Sequence, residues 1–478
     1  MTYLRGTPPR IGVAACGIGA FSDEGKRAAE TGWRTLFETL QTEGVISRDS
    51  IFHPRRVGNA WEAEEALAGM IRAQVDGLVV LNSAFASGNA FLAIAANPYL
   101  ARIPLVLTAP PEYEAADKAW STNAYSGLIM NNHVARRMGR HVYVLGGWAD
   151  AAAYGADVRR LMRVIHAVKE ARREVVGRFG DAPGGFHSAT GDQLAYARLF
   201  GTRVETVDLS ALMETFRTGR AAGPRGDAAF SDRDADDTYR RMTDGREVRI
   251  SQEHVRRAAR LYHAAKAMIE ANGFTSATFR CWPEMMQPYI GVSPCFTIGW
   301  LLAERAVTAV GCEGDWPAAV MLSLGALLSG QPAACLDLVS QVGASPVVQL
   351  GHCGIGIPGK MARECVADKI QDRGPGAVHG PTLIGQFEHG PKTGFCLTQE
   401  TGGPFKLLVF GGTSGPDTDQ NIYYCAADLR VGNARRLGEL VIGEGFPHHV
   451  GMAFGDIAPE WRLLCDFYGI RYVDADAG

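Results

Sequence analysis

The feature that most constrains the fold is an alternation of short apolar runs with amphipathic stretches in the first part of the chain. Arg10 to Gly17 has the composition of a buried strand, about Glu24 to Glu43 has the periodicity of a helix, and Val75 to Asn82 is again strand-like. Strands that are separated by helices run parallel, because each helix carries the chain back across the sheet. The pattern therefore predicts an α/β fold with a doubly wound parallel sheet.

A second unit of the same kind follows. The first alternation ends near residue 155, and a helix at about Val158 to Arg173 leads to a strand at Glu174 to Gly180. The stretch from Arg217 to Asp237 is rich in Arg, Asp, Gly and Ala, which is typical of a surface loop. We therefore expect one α/β domain over residues 1–155 and a second over residues 156–340.

The last part of the chain has a different character. Strand-like runs such as Thr382 to Phe387, Gly394 to Gln399 and Lys406 to Gly411 follow one another with glycine-rich turns between them. Such runs are typical of antiparallel sheets and small barrels. The expected architecture is thus two doubly wound parallel-sheet domains followed by a C-terminal antiparallel β-barrel domain over residues 341–478.

Composition narrows the class of protein. With 46% hydrophobic and 21% charged residues among 478, the chain is typical of a globular protein. A net charge of −3 without a basic stripe gives no reason to expect a nucleic acid or membrane partner. The start, Met1 to Arg10, lacks the apolar stretch of a signal peptide, and no run of about 18 apolar residues occurs. A cytoplasmic location is expected.

Two common kinds of site are not expected. The ten cysteines stand singly inside apolar runs and form no Cys-x-x-Cys pair, which indicates buried thiols rather than disulfides or a thiolate metal site. Gly12, Gly17 and Gly19 do not form a dinucleotide fingerprint, because no acidic residue closes a second strand at the required place. We therefore expect no nicotinamide cofactor.

Two carboxylates follow neighbouring strand patterns in the second half. An apolar run from Ala306 ends at Glu313, a helix capped by Asp315 follows, and a short strand ends at Asp337. If these strands are parallel neighbours, roughly 4.8 Å apart, both carboxylates leave the same edge of the sheet. Together with the imidazole of His449 they form a candidate divalent-metal site. Its oxygen-rich composition favours Mn²⁺, with Co²⁺ or Mg²⁺ as alternatives.

These motifs resemble the L-fucose isomerase and L-arabinose isomerase superfamily, in a divergent fucose isomerase-like branch. The resemblance rests on Glu313-Gly314-Asp315, on Asp337, and on His449 in a small-residue segment. The runs Cys281 to Glu284 and His352 to Gly354 are also similar to this superfamily. The resemblance implies metal ligands at Glu313, Asp337 and His449. It also implies a homo-oligomer, a trimer or hexamer, in which a neighbouring subunit completes the pocket.

The residues suit the interconversion of an aldose and a ketose. That reaction removes a proton from a carbon next to a carbonyl, and a metal that chelates two adjacent sugar oxygens stabilises the resulting enediolate. Glu313 is the first choice for the base that carries the proton, and Asp337 is the second. Each of the two can serve as ligand, base or both.

Four further residues are candidates for substrate contacts. His352 is either a fourth metal ligand, a residue that hydrogen-bonds a substrate hydroxyl, or a buried histidine satisfied by backbone groups. Trp282 is either a sugar-stacking wall or a core aromatic. Glu284 is a candidate substrate contact, and His448 is expected to neighbour the site.

The sugar is open at this point. A neutral pentose or (deoxy)hexose is the first expectation, and an anionic sugar such as sulfoquinovose is the alternative. An anionic substrate requires a basic cluster at the far end of the pocket, for which Arg55, Arg56, Lys392 and His389 are candidates.

Two further classes of protein are compatible with the sequence. One is a non-catalytic sugar-binding protein, because the first two domains resemble the folds of such proteins. The other is a metal-dependent lyase or epimerase, which shares the enediolate and differs only in the bond that breaks next.

Overall fold

The computed structural model describes residues 4–112, 122–146, 151–286, 291–341, 345–368, 380–400, 402–419 and 425–476. The chain divides into two compact units. One comprises Met1–Glu170 with Asp466–Tyr468, and the other comprises Ala171–Cys465 with Gly469–Gly478. The three domains expected from the sequence, over residues 1–155, 156–340 and 341–478, remain a prediction.

The first unit contains a five-stranded parallel sheet in the order β2-β1-β3-β4-β5. Its strands are β1 (Ile11–Cys16), β2 (Ile51–Phe52), β3 (Gly77–Asn82), β4 (Leu105–Ala109) and β5 (Tyr143–Gly146). Its helices are α1 (Asp23–Thr42), α2 (Ala60–Arg72), α3 (Gly88–Ala95), α4 (Ala124–Arg137) and α5 (Ala151–Ala171). The alternation of strands and helices expected from the sequence is confirmed here.

The central strands of this sheet are apolar throughout because they are covered on both faces. Every residue of β1, β3 and β4 is buried, which is the pattern of parallel strands between helix layers. Leu78, Val80 and Leu107 belong to the main hydrophobic cluster of this unit, together with Leu67 of α2 and Leu128 of α4.

The second unit combines a parallel sheet with a larger, mainly antiparallel sheet. Its strands up to the start of the barrel are β6 (Val175–Phe179), β7 (Arg203–Val207), β8 (Arg220–Gly223), β9 (Gly226–Ala229), β10 (Glu247–Val248), β11 (Ser276–Phe279) and β12 (Val310–Gly311). The later strands are β13 (Ala334–Gln341), β14 (Val347–His352), β15 (Met361–Asp368), β16 (Pro381–Phe387), β17 (Gly390–Gln399), β18 (Phe405–Ser414), β19 (Cys425–Val431), β20 (His449–Phe454) and β21 (Arg471–Asp474). The helices are α6 (Gln193–Phe200), α7 (Leu209–Thr218), α8 (Asp232–Thr243), α9 (Gln252–Asn272), α10 (Cys295–Ala303), α11 (Trp316–Ser329), α12 (Ala434–Gly443) and α13 (Ala458–Tyr468).

The parallel sheet has four strands in the order β12-β11-β6-β7. The antiparallel strands β13, β14, β19, β18, β17 and β20 pair in a closed ring. A closed ring leaves no exposed strand edge among its members. The expectation of parallel sheets combined with a closed antiparallel barrel is confirmed, whereas the division into two doubly wound domains and a separate barrel domain remains a prediction.

Helix α11 joins the two sheets. Asp315 caps its N-terminus, Pro317 lies in its first turn, and Gly330 ends it in a left-handed conformation. Every residue from Trp316 to Leu328 is buried, because the helix contacts β11 and β12 of the parallel sheet and also β17 and β20 of the barrel. It therefore fixes the end of β12 relative to the barrel.

Two local expectations are wrong. The strand after α11, β13, is not a parallel neighbour of β12 but a barrel strand, antiparallel to β14 and β20. Asp337 consequently lies inside a strand rather than at its carboxyl end. The stretch from Arg217 to Asp237 is not a loop, because it contains the hairpin β8–β9 and the start of α8.

Among the described residues, no helix combines the length and the apolar character needed to cross a membrane.

Candidate metal centre

Glu313 is held in an unusual backbone conformation at the end of β12. Its φ is +57° and that of Gly314 is +69°, so two successive residues occupy the left-handed region, which costs a non-glycine residue free energy. The turn is fixed by Gly314 N–H, which donates to Phe279 O at 3.0 Å. Arg178 Nε–H donates to Gly314 O at 3.1 Å. With this backbone conformation, the Glu313 side chain leaves the chain in a different direction from that of a residue in a regular strand.

Asp315 has two tasks. Its Oδ1 accepts a hydrogen bond from Ala318 N at 2.8 Å and caps α11. Its Oδ2 accepts one from His449 Nδ1 at 2.7 Å. Because a carboxylate only accepts, His449 carries a proton on Nδ1, so Nε2 is the nitrogen that can bind a cation. The sequence predicts the cap, and the Glu-x-Asp spacing also allows the histidine contact that is found.

Asp337 and His449 meet across the barrel. They are directly opposed residues of the antiparallel strands β13 and β20, so their side chains leave the same face. His449 Nε2 lies 3.8 Å from Asp337 Oδ1 and 3.3 Å from Glu313 Oε2. The structure therefore brings together the three residues that the sequence predicts as metal ligands.

The potential ligand atoms form two overlapping groups. One contains Glu313, His352 and His449, and the other contains Asp337, His448 and His449, with the atoms of each group within 4.8 Å of one another. Asp337 Oδ1, His352 Nε2 and His449 Nε2 are buried and have no hydrogen-bond partner in the part of the chain that the structure describes. Buried polar atoms without partners are costly. Their convergence is what a site for a cation or a polar substrate requires.

Electrostatics keep the site charged. Burial raises the pKa of the Glu313 carboxyl, but the imidazoles of His448 and His449 outweigh burial and hold the pKa well below its usual range. Burial lowers the pKa of the His449 imidazole, but the acidic groups Cys335, Asp315 and Glu313 outweigh it and raise the pKa. A proton between these groups occupies the place that a cation can take.

His352 ends β14 and lies beside the same cluster. Its ring is stacked on that of His449 with a centroid distance of 5.8 Å, and its side chain is buried. Its Nδ1 accepts a hydrogen bond from the backbone N–H of Cys353 at 2.9 Å. His352 is therefore a buried histidine that is held by a backbone group, and it also lies beside the cluster.

An aromatic wall adjoins Glu313. Trp282 Nε1–H donates to Glu313 Oε1 at 3.1 Å, and the Phe186 ring contacts both Trp282 and His448, at centroid distances of 5.2 Å and 5.9 Å. Ser188 Oγ lies 3.4 Å from His448 Nδ1. The sequence predicts Trp282 and His448 near the site, whereas no motif marks Phe186 or Ser188.

The other candidates have local partners. Glu284 forms a two-point ion pair with Arg280, at 2.5 Å and 2.6 Å, and does not belong to either group of potential ligands. Among the basic candidates for an anionic substrate, Arg55 pairs with Glu65 and Arg56 with Glu30.

The two remaining basic candidates lie in the second unit. His389 Nε2 is 3.3 Å from Asp419 Oδ2. Lys392 is buried and donates to Gly390 O at 3.2 Å. His389 belongs to neither of the potential ligand groups found among the described residues.

A cavity of about 700 Å³ is lined in part by His449. Asp315, Tyr196, Met321 and Gln399 contribute to its lining. This volume is within the range of small-molecule pockets.

Comparison with known proteins gives two relatives, and no protein-family model matches the chain. The chain is 25% identical over 408 residues to a sulfoquinovose isomerase of Alkalicoccus urumqiensis, a match that covers 84% of this chain and 86% of that protein. It is 24% identical over 353 residues to a sulfoquinovose isomerase of Clostridium sp. (strain MSTE9), covering 72% and 74%. Both similarities span most of each chain and support the expectation of an enzyme that isomerises a sugar.

Proposed function

We propose that this chain is a divalent-metal-dependent aldose–ketose isomerase that acts on an anionic sugar of the sulfoquinovose type. The observation that carries the proposal is the convergence of Glu313, Asp337 and His449 from three separate elements, in a chain whose relatives are sugar isomerases. Sulfoquinovose carries a sulfonate, so the names of both relatives favour the anionic alternative over a neutral pentose or (deoxy)hexose. The first expectation from the sequence is thus not confirmed.

The donor set fits a divalent ion. Asp337 Oδ1 and His449 Nε2 are buried atoms without a hydrogen-bond partner among the described residues, and Glu313 Oε2 lies 3.3 Å from His449 Nε2. Two carboxylates with one imidazole favour Mn²⁺, with Co²⁺ or Mg²⁺ as alternatives. The chemistry that a bound ion supplies is polarisation of two adjacent sugar oxygens as negative charge develops on them.

Glu313 is proposed to move the proton between the two adjacent carbons. Glu313 is ionised at neutral pH, so its carboxylate has lone pairs that can accept a proton. The Trp282 indole N–H holds Oε1 at 3.1 Å, which leaves Oε2 directed to the cluster. Asp337, whose side chain is 36% exposed, is the second candidate for this step because a substrate can reach it.

Asp315 is a positioning residue in this proposal. By accepting the Nδ1 proton of His449, it fixes both the orientation and the tautomer of that ring. His448, next to His449 in the chain and partly exposed, lies at the rim with Trp282 and Phe186. These side chains shape the entrance that the sugar uses.

The binding-protein alternative has less support. A protein that only binds a sugar has no need of two carboxylates facing a buried imidazole with an unused lone pair, and both relatives are named as enzymes. We also propose a homo-oligomer, as the resemblance implies, which light scattering of the purified protein tests directly.

Sugar conversion by metal-stripped protein tests the function. The protein is assayed with and without Mn²⁺ on sulfoquinovose and on D-glucose, which has a hydroxyl group in place of the sulfonate, and the ketose is quantified after stopping the reaction. We expect metal-dependent turnover with kcat/KM at least about tenfold higher for the sulfonated sugar, the gain from one charged hydrogen-bonded contact. Preference for glucose contradicts the substrate class, and binding of either sugar without turnover contradicts the isomerase.

A further inference from the structure

We propose that His352 donates a hydrogen bond from Nε2 to a substrate oxygen and is not a metal ligand. The inference deepens the proposed function and rests on it. It follows from the different hydrogen bonds made by the two stacked histidines of the site, His352 and His449.

The Nδ1 atom of His352 is an acceptor. The backbone N–H of Cys353 donates to it at 2.9 Å, and an amide N–H has no lone pair with which to accept in return. The Cys353 Sγ lies 3.2 Å from the same nitrogen. A neutral imidazole that accepts at Nδ1 carries its proton on Nε2.

His449 is held through its other ring nitrogen. Its Nδ1–H donates to Asp315 Oδ2 at 2.7 Å, so Nε2 is the nitrogen left to bind a cation. The two rings lie at an interplanar angle of 26° and a centroid distance of 5.8 Å. One ring can therefore bind a cation through Nε2, whereas the other presents an N–H there.

Ligation of a metal by His352 Nε2 would require a proton on Nδ1. That N–H would then face the N–H of Cys353, so two donors would oppose each other in a partly buried place and the hydrogen bond between them would be lost. Two opposed donors are unfavourable where water is largely excluded. In the tautomer that satisfies Cys353, the buried Nε2–H has no partner among the described residues.

A sugar oxygen is the partner that this N–H suits. One ring nitrogen of His352 lies within 4.8 Å of the ligand atoms of Glu313 and His449, so an oxygen bound beside them comes within its reach. The oxygen gains negative charge when a carboxylate removes the proton from the adjacent carbon. A neutral donor held in place then stabilises the charge without delivering its own proton.

Calorimetric titration with Mn²⁺ shows whether His352 is a metal ligand or a hydrogen-bond donor. The proteins titrated are metal-stripped wild type, His352→Gln, His352→Ala and Asp337→Asn. We expect both His352 variants to keep a dissociation constant within about threefold of wild type. Asp337→Asn is expected to weaken binding by more than about 100-fold, beyond the range for groups that only support a ligand. Weakening by His352→Ala equal to that of Asp337→Asn overturns the inference. Failure of the wild type to bind Mn²⁺ overturns the proposed metal centre itself.

Turnover and tautomer give two further readouts. His352→Ala is expected to lower kcat about 10²–10³-fold, the effect of losing one donor to a developing oxyanion, and His352→Gln, which retains an N–H, is expected to restore part of this loss. Nitrogen-15 spectra of the metal-free wild type, assigned by comparison with His352→Gln, are expected to show the proton on Nε2. A proton on Nδ1 contradicts the inference even if the variants fail to fold.

Discussion

Asp337 and His449 lie directly opposite each other on adjacent antiparallel strands of the barrel. This pairing places a carboxylate oxygen 3.8 Å from an imidazole nitrogen. The main-chain hydrogen bonds of β13 and β20 hold both residues, so the site is built on rigid elements rather than on loops. Strand register therefore determines the geometry of two of the three proposed ligands.

Glu313→Gln is expected to abolish turnover. The amide cannot accept the substrate proton, and it is a weaker metal ligand, so kcat is predicted to fall at least about 10³-fold. Steady-state kinetics with saturating Mn²⁺ measure this. The matched control is Glu439→Gln on α12, because Glu439 is exposed and pairs only locally with Arg435. Equal activity of Glu313→Gln and Glu439→Gln would remove Glu313 from the reaction.

Two substitutions separate the two roles of Asp315, which caps α11 and accepts a hydrogen bond from His449. Asp315→Asn retains a good helix cap but disturbs the hydrogen bond to His449, so Mn²⁺ affinity is expected to fall about 10–100-fold with little loss of stability. Asp315→Ala loses the cap as well, and an additional loss of about 1 kcal/mol in the free energy of unfolding is expected. Calorimetry and denaturant unfolding measure the two effects. An Asn variant with unchanged Mn²⁺ affinity would show that Asp315 does not position His449.

Gly314→Ala is expected to disturb the turn that carries Glu313. The glycine has φ +69°, and a Cβ there would lie 2.8 Å from Asp181 O. The left-handed backbone alone costs a non-glycine residue about 1–2 kcal/mol, so a lower midpoint of thermal unfolding and lower kcat are predicted. Gly443→Ala, at a helical glycine with open space around its position, is the control and should leave both unchanged. Comparable behaviour of the two variants would argue against strain at Gly314.

The first unit should lose stability in acid through His166. Burial and the positive charge of Lys169 lower the pKa of this imidazole from 6.5 to about 3. Below pH 6.5, His166 binds a proton in the unfolded chain but stays neutral in the folded chain. The stability that is present above pH 6.5 is therefore lost as the pH falls. From about pH 7 to about pH 5 the loss is roughly 2 kcal/mol.

Denaturant unfolding of wild type and His166→Gln at the two pH values measures this contribution. The variant is expected to be less sensitive to pH by about that amount, whatever its absolute stability. An identical pH dependence of the two proteins would show that His166 is not buried as a neutral group.

The sequence predicts which side chains converge better than it predicts the path of the chain between them. Glu313, Asp337 and His449 come together as expected, because the family-like motifs mark all three residues. The partner of the short run ending at Leu336 is not a local signal. Helix α11 is buried from Trp316 to Leu328 because it packs between the two sheets, and the strand that follows it, β13, joins the barrel instead of the parallel sheet.

The region from Arg217 to Asp237 illustrates a different limit. Its Ala and Gly content resembles a loop, but Ala221 packs in the hairpin β8–β9, and helix α9 contacts both of its strands. A usable signal is present at Ser231 and Asp234, which form a capping box at the start of α8. The contacts of Phe186 and Ser188 near the site depend on tertiary packing, which no sequence spacing predicts.

The position of a bound ion tests the proposed metal centre most directly. Crystals of the protein soaked with Mn²⁺ are measured with X-rays near the manganese absorption edge, and the anomalous difference map is calculated. We predict a peak coordinated by Glu313, Asp337 and His449, with Nε2 as the histidine ligand. A peak elsewhere, or no peak in a protein that converts the sugar, would contradict this centre.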